Sequence, residues 1–92
     1  MPLDIYWQEG QAREWLGSLP IDTPLEELLY AFSQTAGIPV DPYGGISRLY
    51  RSQWQKLIEL AEKQGYPTAK LQAIQTAVQA SKTDGLLVLF GD

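Results

Sequence analysis

The chain has 92 residues, 45% of them apolar and 20% charged, a composition that suits one foldable domain and excludes a disordered or multidomain chain. It contains neither Cys nor His, which removes disulfides, thiol nucleophiles, Cys/His metal sites and imidazole catalysis. The formal charge of −4 argues against a nucleic-acid or anionic-membrane binder, but it is unevenly spread: residues 1–45 carry −6 and residues 46–92 carry +2.

Leu3, Ile5 and Trp7 alternate with Asp4, Tyr6 and Gln8, the period-two pattern of a half-buried strand over residues 3–7. Gly10 ends it. Ala12, Trp15, Leu16 and Leu19 then recur at helical spacing as far as Pro20, so residues 11–18 are expected to form a short amphipathic helix, weakened by Gly17. Thr23-Pro24-Leu25-Glu26 reads as an N-cap, a proline at the first helical position and a capping-box glutamate. Leu25, Leu28, Leu29, Phe32 and Ala36 form one stripe, and Gly37-Ile38-Pro39 supplies a left-handed cap and a stop, giving a helix over 24–36.

A Pro- and Gly-rich loop follows from 37 to 45. Beyond it, Ile46, Leu49, Tyr50, Trp54, Leu57, Leu60 and Ala61 share one face of a long helix over 46–64, capped by Gly65. Pro67 and Thr68 open a fourth helix whose stripe is Leu71, Ile74 and Val78, ending near Ser81. Asp84-Gly85 turns the chain into Leu86-Leu87-Val88-Leu89-Phe90, too short for a helix and apolar on both faces, as a buried strand is. A lone strand would leave its backbone unpaired, so the two terminal strands should pair with each other. The expected fold is therefore α+β and mostly helical, one domain over 1–92 with four amphipathic helices and a small two-stranded sheet formed by the N- and C-terminal strands. An all-α bundle is the alternative.

No residue pattern carries catalysis, a cofactor or a metal. Glu26-Glu27 and Glu59 with Glu62 are carboxylate pairs on helix faces turned to water, and Glu59 has Lys63 at the favourable i, i+4 offset. Gly44-Gly45 lacks the Lys-Ser/Thr ending and the preceding strand of a phosphate loop. Arg48 and Arg51 are unusual, because in the first turns of a helix over 46–64 they oppose its dipole, at about 0.3–1 kcal/mol each. With Tyr43, Ser47 and the Gly44-Gly45 backbone they make a candidate contact for an anion or a partner, unless Asp41 or another acid of the first half neutralises them.

Ten aromatic residues must also be placed. Trp15 and Trp54 lie on apolar stripes and are expected in the core. Tyr6 and Tyr30 fall opposite the apolar residues of their elements, and Gln53 and Gln64 interrupt the apolar face of the third helix, irregularities that a covering partner would explain.

Between Leu57 and Ile74, the spacing of Ala61, Gly65, Leu71 and Ile74 resembles that of the small, turn and core residues of a helix-turn-helix. The resemblance implies a second helix that shows Lys70, Gln72, Gln75, Thr76 and Gln79 to DNA, within a window over 46–82 that carries +4. Gln64 stands where that motif has an apolar residue, Pro67 tightens the turn, and the second helix has no arginine. Met1-Pro2-Leu3-Asp4 has no cationic, apolar leader, and the longest apolar run, 86–90, is far below the roughly 20 residues that span a bilayer. The expectation is a soluble, cytoplasmic, non-enzymatic module that binds another protein or itself, with no membrane partner; DNA binding through residues 57–80 is the rival.

Overall fold

The computed structural model describes residues 2–41, 43, 45–81 and 84–91. The chain runs β1 (Pro2–Glu9), β2 (Ala12–Pro20), α1 (Thr23–Ala36), β3 (Gly45–Leu49), α2 (Arg51–Gln64), α3 (Ala69–Gln79), β4 (Leu86–Gly91). The four strands form one antiparallel sheet in the order β2-β1-β4-β3. The α+β class and the pairing of the terminal strands hold, while four helices over a two-stranded sheet, and equally an all-α bundle, are replaced by three helices over four strands.

Two segments account for the difference. Residues 11–18, expected as a helix, fall instead in the turn and in β2, which is joined to β1 by a two-residue turn with Gly10 at φ +58°, the left-handed first position that a Gly-X hairpin turn requires. The register with β1 shifts between Ile5 and Tyr6, which pair with Gly17 and Trp15, so Leu16 is the extra residue of a bulge. Residues 46–49, expected as the start of a long helix, form β3 together with Gly45 because β4 has a second edge whose backbone groups need partners. Helix α2 begins only at Arg51.

The helix boundaries rest on local chemistry. Asp22, one residue earlier than the expected Thr23, caps α1: its Oδ1 accepts from the Leu25 N–H at 2.9 Å. At the start of α2 the Gln53 side-chain oxygen accepts from the Tyr50 N–H at 2.7 Å, which explains one of the two glutamines set into the apolar stripe. Gly37 and Gly65 close α1 and α2 in the left-handed conformation, as expected.

All three helices lie on one face of the sheet, and α2 touches α1, α3, β3 and β4. Leu3, Ile5, Trp7, Leu19, Leu49, Leu87 and Leu89 face this layer and meet Leu25, Leu28, Phe32, Trp54, Leu57, Leu71 and Val78. Trp54 is buried as expected, its Nε1–H donating to the Leu71 carbonyl at 3.0 Å and tying α2 to α3. Trp15, expected in the core, is 58% exposed, because the bulge at Leu16 leaves it on the opposite side of the sheet. Among the described residues no helix is long and apolar enough to cross a membrane.

Candidate functional site

An antiparallel sheet with helices on one side ordinarily shows polar residues on the other. Here the uncovered face mixes polar residues with an aromatic and aliphatic cluster. Paired residues share a face, so the register defines it row by row: Trp15, Tyr6, Val88 and Arg48 cross all four strands in one row. Ser18, Asp4, Phe90 and Ile46 form the next, and Arg13, Gln8 and Leu86 the third. Val88 is 0% exposed yet stands apart from the main core, so the outer face has an apolar cluster of its own.

At the centre of this cluster the Tyr6 and Phe90 rings meet edge to face at 5.3 Å and 86°. The Arg13 guanidinium lies 4.8 Å from the Phe90 centroid and 5.9 Å from that of Tyr6, and its Nη2 donates to Gln8 Oε1 at 3.0 Å. Trp15 on one edge strand, beside Lys70 and Ala73 of α3, and Ile46 on the other, 53% exposed, rim the cluster with more than half of each apolar side chain open. Two arginines, Arg13 and Arg48, share the face with one aspartate, Asp4.

A second exposed surface lies in the helical layer, on the other side of the sheet. Glu26, Glu27, Tyr30, Ser33 and Gln34 of α1, with Pro39, Asp41 and Tyr43, wall an open groove of about 610 Å³ whose floor includes Leu29 and Val40. Tyr30 is 70% and Tyr43 55% exposed. The Ser33 hydroxyl accepts from the Val40 N–H at 3.2 Å and donates to the Leu29 carbonyl at 2.9 Å, fixing this segment against α1. Asp41 accepts from the Tyr43 N–H at 2.8 Å. Three carboxylates, those of Glu26, Glu27 and Asp41, edge the groove.

The four residues singled out from the sequence do not converge. Tyr43 belongs to the acidic groove, Ser47 is buried on the inner face of β3, and Arg48 projects from the outer face of the same strand. Arg48 is thus no helix residue, and only Arg51 occupies a helix first turn. Arg51 stacks 4.9 Å over the Trp7 ring and its Nη2 donates to the Ser81 carbonyl at 3.3 Å, while the Ser81 hydroxyl donates to Glu9 Oε1 at 2.6 Å. Gly44 lies outside the described residues.

The outer-face cluster escaped the sequence because two of its residues, Trp15 and Arg13, sit on a strand disguised by its bulge. The Glu-Gly-Gln turn at Gly10 was the signal that would have exposed the hairpin. In the helix-turn-helix-like segment, Ala61, Leu71 and Ile74 are buried between α2, α3 and the sheet, Gln75 bonds to Gln55, and α3 bears one cation, Lys70. No family model matches the chain, and no curated protein or solved structure matches it.

Proposed function

We propose that this chain is a non-catalytic interaction module that binds protein through the uncovered face of its sheet. The observation that carries the reading is the outer-face cluster: a desolvated Val88 ringed by Tyr6, Phe90 and Leu86, with Trp15 and Ile46 left exposed at its rim. Contiguous apolar surface of this kind with a polar border is the anatomy of a contact patch, and Trp, Tyr and Arg are the side chains that dominate binding energy at such patches. The Arg13 guanidinium, held by two rings and by Gln8, adds a cation whose position is already fixed before a partner arrives.

The test is site-specific photo-crosslinking in cells, with benzoylphenylalanine introduced at position 46 on the outer face or, as control, at position 72 on the exposed side of α3. Polypeptide adducts from position 46 but not 72, lost when Trp15→Ala is added, are expected. Equal yields from both positions refute the assignment. So does tight binding of labelled DNA at about 50 mM salt that collapses as salt is added and disappears in Lys70→Glu, the behaviour of a phosphate-bound complex.

A further inference from the structure

We infer that the partner is a second copy of this chain, docked head to tail, with the uncovered sheet face of one molecule seated on the acidic aromatic groove of the next. The inference rests on the interaction-module reading and adds the identity of the occupant. Its ground is the complementarity of the two surfaces. The sheet face offers exposed apolar anchors, Trp15 and Ile46, beside Arg13 and Arg48. The groove offers an apolar floor of Leu29 and Val40, two exposed tyrosines, and the carboxylates of Glu26, Glu27 and Asp41, none of which forms an ion pair with another described residue. An open groove of about 610 Å³ has room for a tryptophan or isoleucine side chain to lie along its floor.

Charge also selects the arrangement. A twofold dimer buries one surface against its own copy. Sheet face on sheet face sets a patch with excess arginine against the same patch; groove on groove sets three carboxylates against three. Like charges brought together in a contact oppose it, whereas the crossed arrangement places each arginine near the opposite sign. Because the sheet face and the groove are built from different residues, a bound copy still presents one surface of each kind. The contact is therefore heterologous, and it propagates into rings or open chains instead of stopping at two. The uneven charge of the sequence, −6 in residues 1–45 and +2 in the remainder, then has a purpose beyond internal neutralisation: the groove acids all come from the first part.

The experiment is sedimentation velocity across a concentration series, up to about 1 mM so that weak contacts are populated. It uses the wild type, Arg48→Glu to disable the face, and Glu27→Lys to disable the groove; both side chains are exposed, and melting temperatures confirm that the variants fold. The wild type is expected to grow in mean mass with concentration and to lose that growth as salt screens the contact. Each variant alone should associate at least about tenfold more weakly. An equimolar mixture of the two should form a dimer and go no further, since each retains one intact surface of opposite kind.

A wild type that stays monomeric at the highest concentration overturns the inference, as does a mixture that stays monomeric. A variant that dimerises alone as well as the wild type also overturns it, by marking a twofold contact. The two readings fail separately: a monomeric wild type whose position 46 still crosslinks to a different polypeptide removes self-association and leaves the interaction module standing, whereas no adduct at position 46 removes both.

Discussion

Gly85 lies at the foot of β4, where the chain passes under the indole of Trp7. A Cβ built on it would stand 2.6 Å from Trp7 Cζ2, 2.8 Å from Trp7 Cε2 and 2.7 Å from the Gln8 carbonyl oxygen, against the 3.4–4 Å of ordinary contact. None of these neighbours is the loose end of a side chain. Trp7 is buried, with its Nε1–H donating to Glu9 Oε1 at 2.5 Å and the Arg51 guanidinium 4.9 Å from its ring. The Gln8 carbonyl belongs to β1, which has a hydrogen-bonded strand on each side. Gly85→Ala must displace one of them by most of an ångström, and overpacking of that kind costs about 1–3 kcal/mol. For a domain of this size each kcal/mol lowers the melting temperature by about 4–8 °C, so a cost near the top of that range gives a fall of about 10–20 °C. Gly10→Ala is the control: it has nothing within 4 Å and carries only the left-handed backbone cost, about 1–2 kcal/mol. Thermal melts followed by far- and near-ultraviolet circular dichroism separate the two, the near-ultraviolet band reporting on the tryptophans. A Gly85→Ala protein that melts within about 2 °C of the wild type refutes the packing argument, because the predicted loss is several times larger.

Removing the α1 cap in Asp22→Ala should cost about 1 kcal/mol by urea denaturation, while Asp22→Asn retains most of that stability. Thr23→Ala should change little, and a Thr23→Ala loss matching that of Asp22→Ala would move the cap back to Thr23. Burial, with the negative charge of Asp22 adding to it, raises the Tyr66 phenol above its ordinary value of 10.0. The folded state therefore holds the proton more tightly than the unfolded chain: the contribution is complete below the unfolded value and is lost as pH rises through the folded one. Urea midpoints at increasing alkaline pH should fall more steeply for the wild type than for Tyr66→Phe, and identical slopes would assign no role to that phenol.

Where local pattern and tertiary environment agree, the sequence was legible. Alternation in β1, the continuous apolar run of β4 and the glycines closing α1 and α2 all led to the observed elements. The failures have physical causes. In β2 the bulge inserts Leu16 between the outward Trp15 and the inward-facing Gly17, so Trp15, Leu16 and Leu19 acquire spacings that imitate a helix turn. In β3, Ile46 and Leu49 also keep helical spacing with Trp54, and only the open edge of β4 turns five residues into a strand. Those two strands carry the exposed rim of the candidate site, Trp15 and Ile46 with Arg13 and Arg48. The aromatic excess and the glutamines on an apolar helix face led to the expectation of an interaction module, whereas Arg13, Trp15, Ile46 and Arg48 lie on strands whose local pattern reads as helix. Tyr6, noted as standing opposite the apolar side of its strand, was the one outer-face aromatic identified by its position.

The central place of the last strand also dictates the order in which this molecule can assemble. Among the described residues β4 is the sole strand partner of β3 and one of the two partners of β1, so the sheet cannot close until residues 86–91 have been synthesised. Before that, the β1–β2 hairpin must wait with Leu3, Ile5 and Trp7 lacking half their cover. Joining β1 to β4 then closes a loop that runs through every helix, the kind of non-local step that slows folding toward the millisecond-to-second range. A nascent chain of this protein therefore passes through an interval, set by translation and not by helix formation, in which its most apolar strand edges are open to chaperones and to one another.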